Sequence, residues 1–282
     1  MGKWIRRGIM LILLVIFLVS GGMILSILHQ YRVSERKYED AVLQFTTPAD
    51  DDSEAETVSS DIADNSFIKP GDADNTSQDG QQIIAPFVVD FDALHEIAPD
   101  AIGWLYCKDT IINYPVMFSG NNSYYLHRSY DKTYSFPGSI FVDCLDDPSF
   151  QDYNTIIYGH NMKDGTMFAN LDMWSSQSYY NKHPVMWLLT PEQDYLVVLI
   201  AGYTTTSTAE CYAIIHEPGP DLDLYLADAL ANSDFQASVD PDPTAHYVLL
   251  STCSYVFSNA RYVIHGMLVP VDSAGGRPIS RS

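Results

Sequence analysis

The chain has 282 residues, 46% of them hydrophobic, and sets 15 Lys and Arg against 36 Asp and Glu for a formal charge of −21. That balance excludes nucleic acid as a partner, because a phosphate backbone would be repelled rather than neutralised. The length suits one domain of about 150 to 200 residues with attachments and is short for two.

Residues 8–28 carry no charged side chain, and as a helix they span about 30 Å, the thickness of a bilayer's hydrocarbon core. Lys3, Arg6 and Arg7 precede this run, so the positive-inside tendency puts the N-terminus in the cytoplasm and the remainder outside, although Arg32, Arg36 and Lys37 reduce the asymmetry. The run exceeds the apolar core of a cleaved signal peptide and no small-x-small site follows it, so residues 1–28 read as a cytoplasmic start and single transmembrane anchor. Residues 29–45 keep a helical rhythm through Tyr31, Tyr38, Val42 and Phe45. They read as a juxtamembrane helix that is either a stalk or packed on the domain. Residues 46–82 are dense in Asp and Glu, with Lys69 as their one basic residue, and read as an acidic flexible linker. A folded domain is expected over 83–272 and a flexible tail over 273–282.

Inside that domain, residues 90–97 read as a short helix entering a strand over 100–107, punctuated by Pro99. Strand signals then recur at 111–117, 138–143, 153–158, 185–189, 195–204, 211–216, 247–251 and 261–269. One clear helix interrupts them at 221–231, with Asp221 and Asp223 in its first turn. The pattern predicts a mostly β fold: a closed or nearly closed, mostly antiparallel eight-stranded barrel with N-terminal helices and a helical insertion between strands 6 and 7. A doubly wound sheet would need helices between most strands.

Three residues stand where chemistry is possible. Cys253 ends the run HYVLLSTC, His160 follows NTIIYG, and Arg261 follows a short loop after Cys253. Each therefore lies where an apolar strand meets a polar loop. The segment CSYVFSNARYVIHGM has a hairpin pattern that returns Arg261 to the level of Cys253. A thiol, an imidazole and a guanidinium on one rim supply a nucleophile, a proton carrier and an oxyanion donor. The bland alternatives are a small buried thiol, a surface histidine and a rim ion pair.

Other polar groups carry less. Asp143, Asp146 and Asp147 lack the spaced ligands and glycine of a calcium loop and read as a solvated turn. His95, His127, His183, His216, His246 and His265 form no metal-binding spacing, and neither a metal nor a cofactor is expected. Cys107, Cys144 and Cys211 read as core thiols, with an incidental disulfide left open. Trp104, Trp174 and Trp187 read as packing residues.

The runs NTIIYGHNM, LLSTCSY and NARYVIHGMLV, with VDFDALHEIAPDAIGWLYCKDTIINYPVM and GNNSYYLHRSYDKTYSFPGSIFVD before them, closely resemble the class B sortases over residues 88–269. The resemblance implies an eight-stranded sortase barrel and a Gram-positive, membrane-anchored cysteine transpeptidase whose catalytic domain lies outside the cell. It implies that Cys253 is the nucleophile, His160 the general acid and base, and Arg261 the group that steadies the oxyanion. By the same resemblance Asn122, Leu126 and Ser251 line the substrate groove, and the insertion from Cys211 through the 221–231 helix walls it. The implied partners are a secreted protein with a C-terminal sorting motif, NPxTx or (S/N)PxTG, and a cell-wall stem-peptide amine, with the enzyme a monomer. A pilin-polymerising sortase, a hydrolytic cysteine peptidase and a catalytically inactive surface binding module stay open as alternatives. The chain departs from the class at Ser254 and Tyr255, where many members carry an acidic residue after the nucleophile.

Overall fold

The computed structural model describes residues 2–49 and 83–273. Most of the expected acidic linker and most of the tail lie outside the described residues. The first element, α1 (Lys3–Phe45), is one continuous helix, and its apolar N-terminal part is long enough to cross a membrane. Its other end is a packing element. Ser34, Tyr38, Ala41 and Phe45 are buried, and their alternating spacings of four and three place them on one helix face.

Hydrogen bonds fix that face against the segment 130–139. Lys37 Nζ donates to Asp131 at 2.8 Å and Thr133 at 2.6 Å, while the Tyr38 hydroxyl donates to the Gly138 carbonyl at 2.6 Å. The juxtamembrane stretch is therefore packed rather than free. After it, β1 (Thr46–Pro48) pairs with β2 (Phe87–Val89). The helix α2 (Phe91–Ile97) follows, and Asp90 caps it by accepting from the Ala93 N–H at 2.9 Å, which satisfies an otherwise orphaned donor.

Eight strands then close a barrel: β3 (Ala101–Tyr106), β4 (Asn113–Met117), β5 (Ile140–Val142), β6 (Thr155–Tyr158), β7 (Val185–Leu189), β8 (Asp194–Thr206), β9 (His246–Cys253) and β10 (Ala260–Val271). Around the barrel the order is β10-β8-β7-β3-β4-β5-β6-β9. All contacts are antiparallel except β4 with β5 and β6 with β9. The core is close-packed, and Trp104, Trp174, Tyr125, Tyr247 and Tyr262 are almost fully buried in it.

The expected strand count is met with one exchange. Residues 211–216 do not form a strand; Glu210–Tyr212 is a short 3-10 helix and Ile215 makes only an isolated bridge to Asn154. β5 and β9 already occupy both edges of β6, so no hydrogen-bonding edge is left for this segment to join. The eighth position is taken by Ala101–Tyr106, the strand that follows α2. The insertion between the sixth and seventh barrel strands does contain the expected helix, Pro220–Asn232.

Within the wall, His265 on β10 is fully buried, and its Nδ1 pairs with the Tyr225 hydroxyl at 2.8 Å. Burial pushes its pKa down to about 3. An unfolded histidine titrates at about 6.5, so between that value and the folded one the unfolded chain binds more protons, and folded stability is lost as pH falls. Urea unfolding of the detergent-solubilised chain is expected to show a loss approaching about 1.4 kcal/mol per pH unit from this residue. That slope component should vanish in His265→Gln; the same slope in both proteins would contradict it.

Candidate active site

Cys253 is the last residue of β9, and the antiparallel register sets it opposite Arg261, the second residue of β10. On the other side of β9, the parallel strand β6 places Tyr158 opposite Ser251. The Gly159 N–H donates to the Ser251 carbonyl at 3.1 Å and the Thr252 hydroxyl donates to the Gly159 carbonyl at 2.9 Å. Continued by two residues, this register brings His160 level with Cys253. Thiol, imidazole and guanidinium thus occupy three neighbouring strand ends on one rim.

Gly138 helps to set the His160 ring. This glycine lies in the left-handed region with φ 64°, and a Cβ there would lie 2.4 Å from the Tyr125 carbonyl oxygen and 2.5 Å from that of Leu126. Its absence lets the 125–127 turn close down. The Leu126 carbonyl then meets His160 Nε2 at 3.0 Å. A carbonyl can only accept, so Nε2 carries the proton and Nδ1 is left as a base. Burial holds the His160 pKa below its ordinary value; the Leu126 bond opposes this, and nearby His127, whose ring stacks at 5.8 Å, adds to it.

Cys253 is half-buried, whereas Cys107 and Cys211 are buried, and all four cysteines are free thiols. Burial pushes Cys107 up to about 12 and Cys211 up to about 11, which keeps both as inert thiols at neutral pH. Cys144 is half-buried and lies outside the hydrophobic core, which corrects its reading as a core thiol; it sits in the polar loop after β5, where its N–H is taken by Asn122. Arg261 Nη1 donates to the Ala260 carbonyl at 3.0 Å.

The expected groove residues have internal partners. Asn122 Nδ2 donates to Asp143 Oδ2 at 2.8 Å, and Asn122 Oδ1 accepts from the Cys144 N–H at 2.8 Å. The Tyr158 hydroxyl donates to that same Asp143 oxygen at 3.0 Å. Asn122 therefore braces the strand that leads to His160. Leu126 is half-buried against the core and contributes its carbonyl. Ser251 is buried on the same strand face as Cys253, by the two-residue period of a strand, with its Oγ 2.7 Å from the Tyr212 hydroxyl.

Asp143 and Asp146 correct the expectation of a solvated turn, because both are buried while Asp147 is exposed. The loop folds inward because Asp146 Oδ2 accepts from the Ile156 N–H at 2.7 Å and Asp143 takes the Asn122 and Tyr158 donors. Burial, reinforced by Asp143 and Asp152, pushes Asp146 up to about 7. Among the described residues, no cluster of His, Cys, Asp and Glu is arranged to hold a metal ion.

Two residues join the site that strand-and-loop patterning did not single out. Tyr212 stacks on Tyr158 with ring centroids 6.3 Å apart, and its hydroxyl is pushed up to about 12, chiefly by burial, with the nearby Arg261 charge acting in the opposite sense. It is a neutral hydroxyl on the Cys253 face. Asn161 Nδ2 donates to the Cys253 carbonyl at 2.7 Å, tying the loop after β6 to the end of β9. Its position next to His160 was the available signal; Tyr212 had none beyond its place in the insertion.

Titration of the His160 ring by NMR is expected to give a midpoint below about 6.5. His127→Gln should raise it without reaching that value, since burial is the larger cause; a wild-type midpoint above it would contradict the buried geometry. Gly138→Ala is expected to destabilise the chain by about 1–3 kcal/mol through strain at this position and to move the His160 ring resonances. Unchanged melting and unchanged resonances would refute that.

No family model matches the chain. It is 35% identical over 178 residues to sortase B of Listeria monocytogenes, spanning 62% of this chain and 72% of the relative. A solved complex of Staphylococcus aureus sortase B with substrate superposes with a TM-score of 0.61 at 28% identity, covering 64% of this chain and 85% of that one. A solved sortase B complexed with triglycine superposes equally, with a TM-score of 0.61, 28% identity and coverage of 64% and 86%.

Proposed function

The chain belongs to the sortase B family of cysteine transpeptidases, and on that premise we propose that it cuts a C-terminal sorting motif after its threonine and passes the product to a cell-wall peptide amine. The motif is of the NPxTx or (S/N)PxTG type. The observation that carries this reading is the rim itself, with Arg261 paired to Cys253 on one side and His160 level with it on the other.

In the proposed reaction the Cys253 thiolate attacks the threonine carbonyl carbon, and the Arg261 guanidinium hydrogen-bonds the oxyanion that forms. The His160 imidazolium gives its Nδ1 proton to the departing amine, leaving a thioester on Cys253. An incoming amine then attacks the thioester carbonyl carbon and loses its proton to the same nitrogen, and the C–S bond breaks to release the new amide and regenerate the Cys253 thiolate beside the His160 imidazolium. Asn122, Leu126 and Ser251 are assigned to the donor groove, where each supports a neighbour as well as forming wall. Tyr212 presents a neutral hydroxyl beside them. The triglycine held by a related sortase B supports an amine of the glycine type as acceptor.

The same reading makes α1 a single-pass anchor, with its N-terminus in the cytoplasm and the barrel outside a Gram-positive cell membrane. The continuous apolar helix and the three early basic residues support that orientation.

The test is to mix the full chain in detergent with sorting-motif peptides, with and without triglycine, and to weigh the products. Ligated product is expected to dominate when the amine is present. Cys253→Ala should abolish both thioester and product, while His160→Ala should lose about 10²- to 10⁴-fold in rate. Arg261→Ala should lose about 10²- to 10³-fold, mainly in kcat. Hydrolysis alone across a panel of amines would overturn the transfer reading, and retained activity in Cys253→Ala would overturn the assignment of the nucleophile.

A further inference from the structure

The loop that joins β9 to β10 carries an unexplained apolar surface. Tyr255 is 74% exposed, Val256 76% and Phe257 47%, three consecutive large side chains beside the catalytic rim. No Asp or Glu occurs between Asp242 and Asp272, in a chain whose charge is otherwise strongly negative. An exposed apolar patch of this kind marks an interaction surface.

Its place relative to α1 identifies what it meets. The apolar run of α1 ends at Leu28, and Tyr31 lies about one helical turn further, a rise of about 4.5 Å. From the Tyr31 ring a line of rings leads to the active site: Phe136 at 5.7 Å, His127 at 6.4 Å from Phe136, and His160 at 5.8 Å from His127. The Tyr255 hydroxyl donates to the carbonyl of Asn161, next to His160, at 3.3 Å. Asp164, on the loop after His160, and then Tyr255 act electrostatically on the Tyr31 hydroxyl. The end of the barrel nearest the apolar helix is therefore the end that carries the catalytic rim and this loop. The packed face of α1, held through Lys37 and Tyr38, fixes that orientation.

We propose that Tyr255, Val256 and Phe257 seat in the outer interfacial layer of the bilayer that holds α1, so that the catalytic rim opens at the membrane surface. Aromatic side chains favour that layer, and a loop without acidic residues can approach anionic headgroups without repulsion. The proposal rests on the reading of α1 as a single-pass anchor.

The test uses the full chain reconstituted in vesicles of phosphatidylcholine and phosphatidylglycerol, with a fraction of the lipid brominated near the headgroup end of its acyl chains. Tryptophan is introduced as Val256→Trp, with Phe257→Trp as a second probe. The control is Leu43→Trp, at a position that is 82% exposed and lies about 22 Å beyond Leu28 along α1. After subtraction of wild-type emission, the loop probes are expected to be quenched at least about twofold more than the control. Flotation of the vesicles is measured on the same samples. A chain that floats while its loop probes are quenched no more than Leu43→Trp overturns the proposal and leaves the anchor reading intact. A chain that does not float overturns the anchor reading and the proposal with it. Loop shielding that appears in unbrominated vesicles and weakens on dilution of the protein would assign the patch to a second copy and likewise overturn it.

Discussion

The parallel pairing of β6 with β9 is the constraint on which the rest of the structure depends. Parallel neighbours end at the same rim, so His160 after β6 and Cys253 at the end of β9 emerge side by side. An antiparallel pair would send them to opposite ends of the barrel. β10 then starts at that rim because it returns from β9 through a short hairpin, and its second residue is Arg261. A parallel pair needs a long crossover, and here the crossover contains β7, β8 and the helical insertion. The strands that close the barrel are thus the ones that bring these three residues to one rim, and the segment that must bridge them brings Tyr212 to Ser251.

The insertion is held by a buried polar chain. Asn154, just before β6, donates to the carbonyls of Cys211 and Ala213 at 3.1 and 2.8 Å. It accepts from the Tyr225 hydroxyl of the insertion helix at 2.8 Å, and Tyr225 also meets His265 on β10. Each bond adds only about 0.5–1.5 kcal/mol net, but an unmade bond at these buried atoms would cost about 1–3 kcal/mol. The insertion therefore has one low-energy seat, and that seat presents Tyr212 to Ser251 and to the Cys253 face. This accounts for a short 3-10 helix where apolar alternation predicts a strand: the Asn154 amide takes two carbonyls that a ladder would otherwise use.

Much of the barrel was legible because strands report themselves through local alternation and turn residues. The apolar run HYVLLSTC and the hairpin back to Arg261 both form where the pattern places them. The helix at Phe91–Ile97 was legible through the short run closed by Pro99, and the structure adds the Asp90 cap. What local pattern could not reach were partners distant in sequence. Asp143 and Asp146 look like a hydrophilic turn until Asn122, Tyr158 and the Ile156 N–H are brought to them. Asn122, read as a groove residue by resemblance, likewise has its partners Asp143 and Cys144 at 21 and 22 residues' distance in the chain. Tyr212 was invisible because its value to the site comes entirely from contacts with Ser251 and Tyr158, neither near it in the chain.

The junction between α1 and the barrel follows the same logic. The Tyr38 hydroxyl, buried and held neutral, donates to the Gly138 carbonyl. Gly138 packs beneath the 125–127 turn at a distance only a glycine allows, and that turn offers the Leu126 carbonyl to His160. Three contacts therefore connect the helix leaving the apolar run to the imidazole at the rim. Removal of α1 would expose the surfaces that cover Phe45 and Ala41, take the Tyr38 hydroxyl from its partners and loosen the support of the turn on which His160 rests. The helix is in this sense part of the scaffold of the candidate site, because its packed face supports the turn whose Leu126 carbonyl meets His160.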